Sequence, residues 1–261
     1  MAELLRAVDL TKNFGGLTAI SEVSFSIQSE DIVGLIGPNG AGKTTLVNLI
    51  SGVYSPTRGQ IYFEGQKISG CKAHQVNALG IARTFQIVRI FPRLTVLENV
   101  LVGLIDRKSN GPWKLMGQAL LHRSGLRDDR RSVKKAEELL EFVGLQTYCN
   151  ESAENLPYAL SKRLEIARAL ATRPKLLLLD EPSSGLNPAE LIGQIRLIRE
   201  ISQKGIAILI IEHVMKVIME ISRRLIVLDY GKKIAEGSPQ DVYRNPAVIQ
   251  AYLGEEACAG N

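Results

Sequence analysis

The sequence predicts an α/β fold built on a mainly parallel sheet. Three observations carry this reading. DIVGLIG (Asp31–Gly37) reads as a buried strand that passes through a glycine-rich loop into a helix, TTLVNLISG (Thr44–Gly52). Leu176–Leu179 and Ile206–Ile211 are short continuous apolar runs, the pattern of strands covered on both faces. Helical patterns separate these runs, and strands alternating with helices build parallel sheets.

Each element follows from its own residues. Residues 4–36 are strand-rich, with Phe25 and Ile27 set between polar neighbours in SEVSFSIQS. Ile61–Ile68 reads as a hairpin turning at Glu64–Gly65. Thr95–Leu104 opens with a Thr-x-x-Glu capping box, and Val133–Leu145 has apolar residues at helical spacing with a Gly near its end. Between these helices, residues 106–131 are polar, basic and broken by Gly and Pro, as expected of a loop or small insertion. Arg224–Gly237 reads as a further strand-like run. Asn187-Pro188, Ser238-Pro239 and Asn245-Pro246 each pair an N-cap residue with Pro at the first helical position. Residues 87–165 thus read as a helical insertion dividing a sheet-bearing core, 1–86 with 166–261.

Bulk properties limit the function classes. The chain has 261 residues, 45% hydrophobic and 23% charged, ordinary values for a globular protein with a large core. A net charge of +5 is mild and reads as a solvated basic surface, so no nucleic acid is expected. No apolar stretch approaches the ~20 residues that span a bilayer, and MAELLRAVDL lacks the regions of a signal peptide. Cys71, Cys149 and Cys258 are far apart, and His74, His122 and His213 do not cluster with them. That spacing suggests a reducing compartment and no zinc site.

Gly37–Thr45 reads GPNGAGKTT, a complete G-x-x-x-x-G-K-[ST] phosphate loop. Gly37, Gly40 and Gly42 permit a tight turn that brings backbone N–H groups to an anion, while Pro38, Asn39, Ala41 and Thr45 complete the contacting stretch. Lys43 is placed to reach β- and γ-phosphates, and the Thr44 hydroxyl to ligate Mg²⁺. The phosphates would lie at a helix N-terminus, where unpaired N–H groups and the dipole favour negative charge. Asp180 and Glu181 follow Leu176–Leu179, and at the end of a parallel strand they would face the ligand crevice. Asp180 is then placed to hold the Mg²⁺ shell, and Glu181 to orient or deprotonate an attacking water. A strand running into a polar helix cap would leave the same pattern without chemistry.

Together these motifs resemble the ATP-binding subunits of ABC transporters over essentially the whole chain. The resemblance implies the P-loop ABC ATPase fold, with an antiparallel β subdomain and an inserted helical subdomain beside the core sheet. It implies ATP and Mg²⁺ as ligands. Gln86 in RTFQ matches the glutamine that contacts Mg²⁺ or the water, and His213 in IIEH matches the switch histidine that contacts the γ-phosphate. Ser184-Gly185-Leu186-Asn187 looks like the D-loop of the dimer interface, although a plain N-cap turn reads the same way. Phe14 in KNFGG matches the aromatic that stacks on adenine, although a strand Phe is more often core.

The family's signature loop reads LSGGQ and acts on ATP held by another subunit. Here it is LPYAL, with Pro157, Tyr158, Ala159 and Leu160 after Leu156. Pro157 offers neither hydroxyl nor N–H. Ala159 keeps its N–H and would be strained if the loop needs positive φ. The resemblance therefore implies a weakened signature and a second ATPase subunit, favouring a heterodimer over a homodimer. FGGLTAI (Phe14–Ile20), FPRLTVLENV (Phe91–Val100), RLEIARAL (Arg163–Leu170) and AEGSPQDVYRNPAVIQAYLGEE (Ala235–Glu256) resemble the branched-chain amino-acid importers' ATPases. Urea or amide importers share much of that pattern, and a soluble non-transport ABC ATPase is the further alternative. The importer reading implies membrane permease partners, an indirect solute-binding protein, and a peripheral place on the cytoplasmic face of the cell membrane.

Overall fold

A computed structural model describes residues 2–105 and 130–258, apart from the side chains of residues 253–258. The expected loop at 106–131 therefore lies outside the described residues except for its last two, which are helical. The described chain forms two compact units. One comprises residues up to Gln86 and from Lys175 onward, and the other is Ile87–Pro174. Sequence reasoning put the second boundary at 165. It falls later because one helix runs unbroken through Tyr158–Ala171.

In the first unit, β1 (Glu3–Phe14) and β2 (Leu17–Gln28) form a long antiparallel pair. With β4 (Arg58–Phe63) and β5 (Gln66–Lys67) they make a four-stranded antiparallel sheet in the order β2-β1-β4-β5. The β4–β5 turn is the one the sequence suggested. Glu64 at φ +49° and Gly65 at φ +76° give two consecutive left-handed residues, which suit the twist of a hairpin.

The second sheet has the order β10-β9-β3-β8-β7-β6. Its members are β3 (Ile32–Ile36), β6 (Ile81–Arg83), β7 (Leu176–Asp180), β8 (Ala207–Ile211), β9 (Arg224–Asp229) and β10 (Lys232–Gly237). Every pairing is parallel except β9 with β10. The run Arg224–Gly237 is thus two strands folded at Tyr230–Gly231, both at positive φ, rather than one. All residues of β3, β7 and β8 are buried, which is why these strands, up to Asp180 at the end of β7, are apolar without alternation. Each fully buried Leu or Ile contributes roughly 1.5–3 kcal/mol. Register fixes the site: Ile211 pairs with Leu35 on one side and Asp180 on the other. The loops that leave β3, β7 and β8 therefore start from one row, at the sheet's C-terminal edge.

The first unit also holds α1 (Lys43–Ile50) and α2 (Ala73–Leu79). The second unit packs α3 (Val96–Leu104), α4 (Arg130–Phe142) and α5 (Tyr158–Ala171). Thr95 and Glu98 form the expected capping box, each bonding the other's backbone N–H. Asn99 is fully buried and fully used. Its Oδ1 accepts the Phe91 N–H at 2.8 Å, and its Nδ2 donates to the Phe91 and Thr95 carbonyls at 3.0 Å each. It therefore sets the shape of the Phe91–Thr95 turn. The guanidinium of Arg168 in α5 lies 5.2 Å from the Phe91 ring centroid and donates to the Arg89 carbonyl. Burial pushes this guanidinium below its ordinary value, against the upward pull of Glu165.

Candidate active site

The phosphate loop connects β3 to α1 (Lys43–Ile50). Gly37 at φ +150° could not carry a side chain, because a Cβ would lie 2.1 Å from the Leu228 carbonyl oxygen. Gly42 at φ +100° caps α1, and its Cβ would lie 2.7 Å from the Ala19 carbonyl oxygen. The first turn of α1 has no acidic residue and no side-chain cap, so its backbone donors remain suited to an anion. Lys43 is buried, and its Nζ donates to the Gly37 carbonyl at 2.6 Å and the Pro38 carbonyl at 2.9 Å. The ammonium thus sits inside the curl of its own loop. Thr44 is exposed at the start of the helix, and Thr45 is half-buried beside it. The loop's outer side, Pro38–Ala41, also lines a cleft of about 630 Å³ with Asp229, Tyr230 and residues of the C-terminal helix. That cleft contains neither Lys43 nor Glu181.

Three residues named from sequence meet at one carboxylate. Gln86 Nε2 donates to Glu181 Oε2 at 3.0 Å, and His213 Nε2 is hydrogen-bonded to Glu181 Oε1 at 2.6 Å. Glu181 sits at φ +50°, in a left-handed turn directly after β7. Its N–H donates to the Ile211 carbonyl at 3.0 Å, which ties the turn to the end of β8, two residues ahead of His213. Asp180, the last residue of β7, is buried at 5% exposure. The arrangement can hold a carboxylate, an amide and an imidazole at one point where a water would be polarised.

Other candidates lie elsewhere in the fold. Phe14 ends β1 and is 40% exposed, so it is not a core residue. Its ring meets Tyr54 edge-on at 5.2 Å, and Lys12 Nζ lies 5.0 Å from the Phe14 centroid. Ser184, Gly185 and Leu186 form the turn before α6 (Pro188–Gln203), and Asn187 is its N-cap, with Glu190 completing a capping box. In the second unit, Pro157 is the N-cap of α5 with no side-chain bond, at φ −51°. Tyr158, Ala159 and Leu160 are already helical, and Ala159 is not among the positive-φ residues. The expected strain at Ala159 is therefore absent: an L-residue fits a right-handed first turn without cost.

The profile of the ABC transporter family matches residues 20–184, more than half of the chain. The chain belongs to the ABC transporter family. A second profile, for branched-chain amino acid ATP-binding cassette transporters, matches residues 232–258 of this cassette. It is 42% identical over 253 residues to a high-affinity branched-chain amino acid transport ATP-binding protein, LivG of Escherichia coli K12, covering 97% of this chain and 98% of the relative. It is 40% identical to the corresponding protein BraF of Pseudomonas aeruginosa over the same shares of the two chains. Among solved structures, the ADP conformation of an ATP-binding cassette of an ABC transporter superposes with a TM-score of 0.86 at 34% identity, covering 98% of this chain and all of that one. A nucleotide-free cassette gives 0.84 at 34% identity, covering 96% and 99%. A dimeric bacterial ABC transporter cassette gives 0.75 at 25% identity, covering 90% and 99%. The P-loop ABC ATPase fold and an ATP-binding, ATP-hydrolysing activity follow from this membership.

Two residues of this cassette's site escaped the sequence reading. Arg83, at the end of β6, donates from Nη2 to Asp180 Oδ2 at 2.8 Å. Glu212 is buried beside His213, and its Oε1 accepts the Ser183 N–H at 2.8 Å. Nothing in IARTFQ or IIEHV marks either residue, because their partners lie 97 and 29 positions away in sequence. The Thr44 hydroxyl, Asp180 carboxylate and Gln86 amide offer hard oxygen donors, the chemistry that Mg²⁺ takes. Among the described residues no group of three or more His, Cys, Asp and Glu could hold a metal alone.

Proposed function

We propose that the chain energises an importer for branched-chain or other hydrophobic amino acids, hydrolysing ATP on behalf of membrane permease subunits that receive substrate from a solute-binding protein. The convergence of Gln86 and His213 on Glu181 carries the catalytic half of this reading. The substrate class rests on relatives named for branched-chain amino acid transport and on the matching C-terminal profile. No described helix is long and apolar enough to cross a membrane. In this reading the permeases supply the path and the chain works on the cytoplasmic face.

In the proposed mechanism, Lys43 and the N–H groups of Gly37–Thr45 bind the β- and γ-phosphates, while Phe14 stacks on the adenine. Glu181 accepts the proton of the attacking water, a role that contributes typically 10²–10⁴-fold. Gln86 and His213 hold its carboxylate in place, and His213 contacts the γ-phosphate in the closed state. Thr44, Asp180 and Gln86 would hold Mg²⁺, which when bound offsets the charge on the phosphoryl oxygens. The Ser184–Asn187 turn meets a second subunit, and Pro157–Leu160 faces that subunit's ATP. Pro157 has no hydroxyl to give, and in a heterodimer, the arrangement favoured here over a homodimer, this chain donates the poorer signature and the two sites are unequal.

Uptake measures the proposal. Vesicles holding the permeases, this chain and its companion ATPase, with the solute-binding protein outside and ATP inside, should import leucine, isoleucine and valine. ATP-dependent uptake of urea or short amides instead would move the assignment to that class of importer, and ATPase activity with no permease association would leave a soluble enzyme.

A further inference from the structure

Arg83 lies three residues ahead of Gln86 and reaches back into the unit's interior. Its side chain is 9% exposed and that of Asp180 is 5% exposed. One end of the guanidinium, Nη2, donates to Asp180 Oδ2. The other, Nη1, donates to Asn48 Oδ1 of α1 and, at 3.4 Å, to the hydroxyl of Ser51, the C-cap of that helix. Its Cζ lies 5.1 Å from the Phe85 ring centroid, and Nε is buried with no hydrogen-bond partner among the described residues.

A buried ion pair is a poor source of stability, because both charges lose their water. This one also leaves a donor unsatisfied, a further cost. What the fork does provide is geometry. A planar guanidinium with two fixed donor directions cannot turn without losing one partner, so it locks the Asp180 carboxylate to the helix that bears Lys43 and Thr44. It engages one carboxylate oxygen, Oδ2, and leaves Oδ1 outside the clamp. We infer that Arg83 is a positioning residue for Asp180, presenting one carboxylate oxygen toward the Mg²⁺–nucleotide and fixing it relative to the phosphate loop. The inference rests on the role proposed above for Asp180.

Two effects of removing Arg83 oppose each other. Loss of a neighbouring positive charge would draw a cation closer, whereas loss of orientation would weaken its binding. Partners that orient metal ligands typically change affinity 10–100-fold when removed, and orientation is expected to win here. The test uses the full-length purified chain and a fluorescent ADP analogue, with Mg²⁺ titrated into the complex and Mn²⁺ followed separately by electron paramagnetic resonance. Arg83→Met should raise the Mg²⁺ and Mn²⁺ midpoints about 10–100-fold, while nucleotide affinity in EDTA stays within about twofold. Arg83→Lys keeps a charge near Asp180 without the fork and should fall between Met and wild type. Asn48→Ala cuts the clamp's far anchor and should shift the midpoints in the same direction by less. If Arg83→Met does not fold, the Lys and Asn48 variants carry the test. Midpoints that are unchanged, or lower, in correctly folded variants would overturn the inference. Asp180→Asn separates the two levels: if it leaves the metal midpoint unchanged, the proposed role of Asp180 fails as well. If it raises the midpoint while the Arg83 and Asn48 variants do not, only the positioning role is lost.

Discussion

Replacing Pro157 by Ser tests the unequal-site reading without disturbing the fold. Pro157 caps α5 with no side-chain bond, at a φ of −51° that Ser adopts freely. A Ser at an N-cap is worth about 1 kcal/mol through its bond to the first-turn N–H groups. Loss of the ring's restriction on the unfolded chain costs about 0.4–1 kcal/mol. The two nearly cancel, so Tm should move by less than about 4 °C. Activity should not cancel. A hydroxyl bonded to a charged phosphate contributes about 1.5–3 kcal/mol, or roughly tenfold or more in turnover at the site this loop faces. Ala159→Gly should behave differently. Ala159 is already helical, so Gly relieves no strain and costs up to about 1 kcal/mol of helix stability. The assay is steady-state ATP hydrolysis by the assembled transporter, alongside thermal unfolding of the single chain. Unchanged turnover in Pro157→Ser at normal Tm would refute the reasoning, as would a gain from Ala159→Gly equal to that from Pro157→Ser.

Other substitutions address the supporting structure. Gly103→Ala in α3 should destabilise the helical unit by about 1–2 kcal/mol in denaturant unfolding: its Cβ would lie 2.5 Å from the Arg168 carbonyl oxygen and 2.8 Å from the Ala171 Cβ. That overpacking costs about 1–3 kcal/mol and outweighs the gain of at most about 1 kcal/mol in helix propensity. Glu212→Ala should cost about 1–3 kcal/mol, because the Ser183 N–H loses its acceptor, and should lower turnover by loosening the turn after Glu181. Glu212→Gln keeps an accepting oxygen and should recover most of both, measured by melting and ATP hydrolysis.

What could be read from sequence depended on how local its physics is. The phosphate loop, the β4–β5 turn and the Thr95 and Asn187 caps are each encoded within a few neighbouring residues, and each is found where the motif places it. The parallel core was legible because strands buried on both faces cannot hide their composition. The β9–β10 hairpin was missed because LDYGKK lacks a strong two-residue turn signal, and the fold is made by Tyr230 accepting positive φ. Arg83, Asn99 and Glu212 were invisible for another reason. Their importance lies in which distant backbone or carboxylate they meet, and a single polar residue in a strand or helix carries no mark of that partner. The strain expected at Ala159 depended on a φ that the family's glycines permit and this helix does not use.

We propose that Glu181, held by Gln86 and His213, is the group that takes the water's proton. Its most direct test is ATP turnover by Glu181→Gln beside wild type in Mg²⁺, with ATP affinity measured in parallel. An amide keeps the shape and the hydrogen bond from Gln86's side of the site but cannot accept the proton. Turnover should fall at least about 10²-fold with ATP affinity intact. Turnover within a few-fold of wild type would contradict the account.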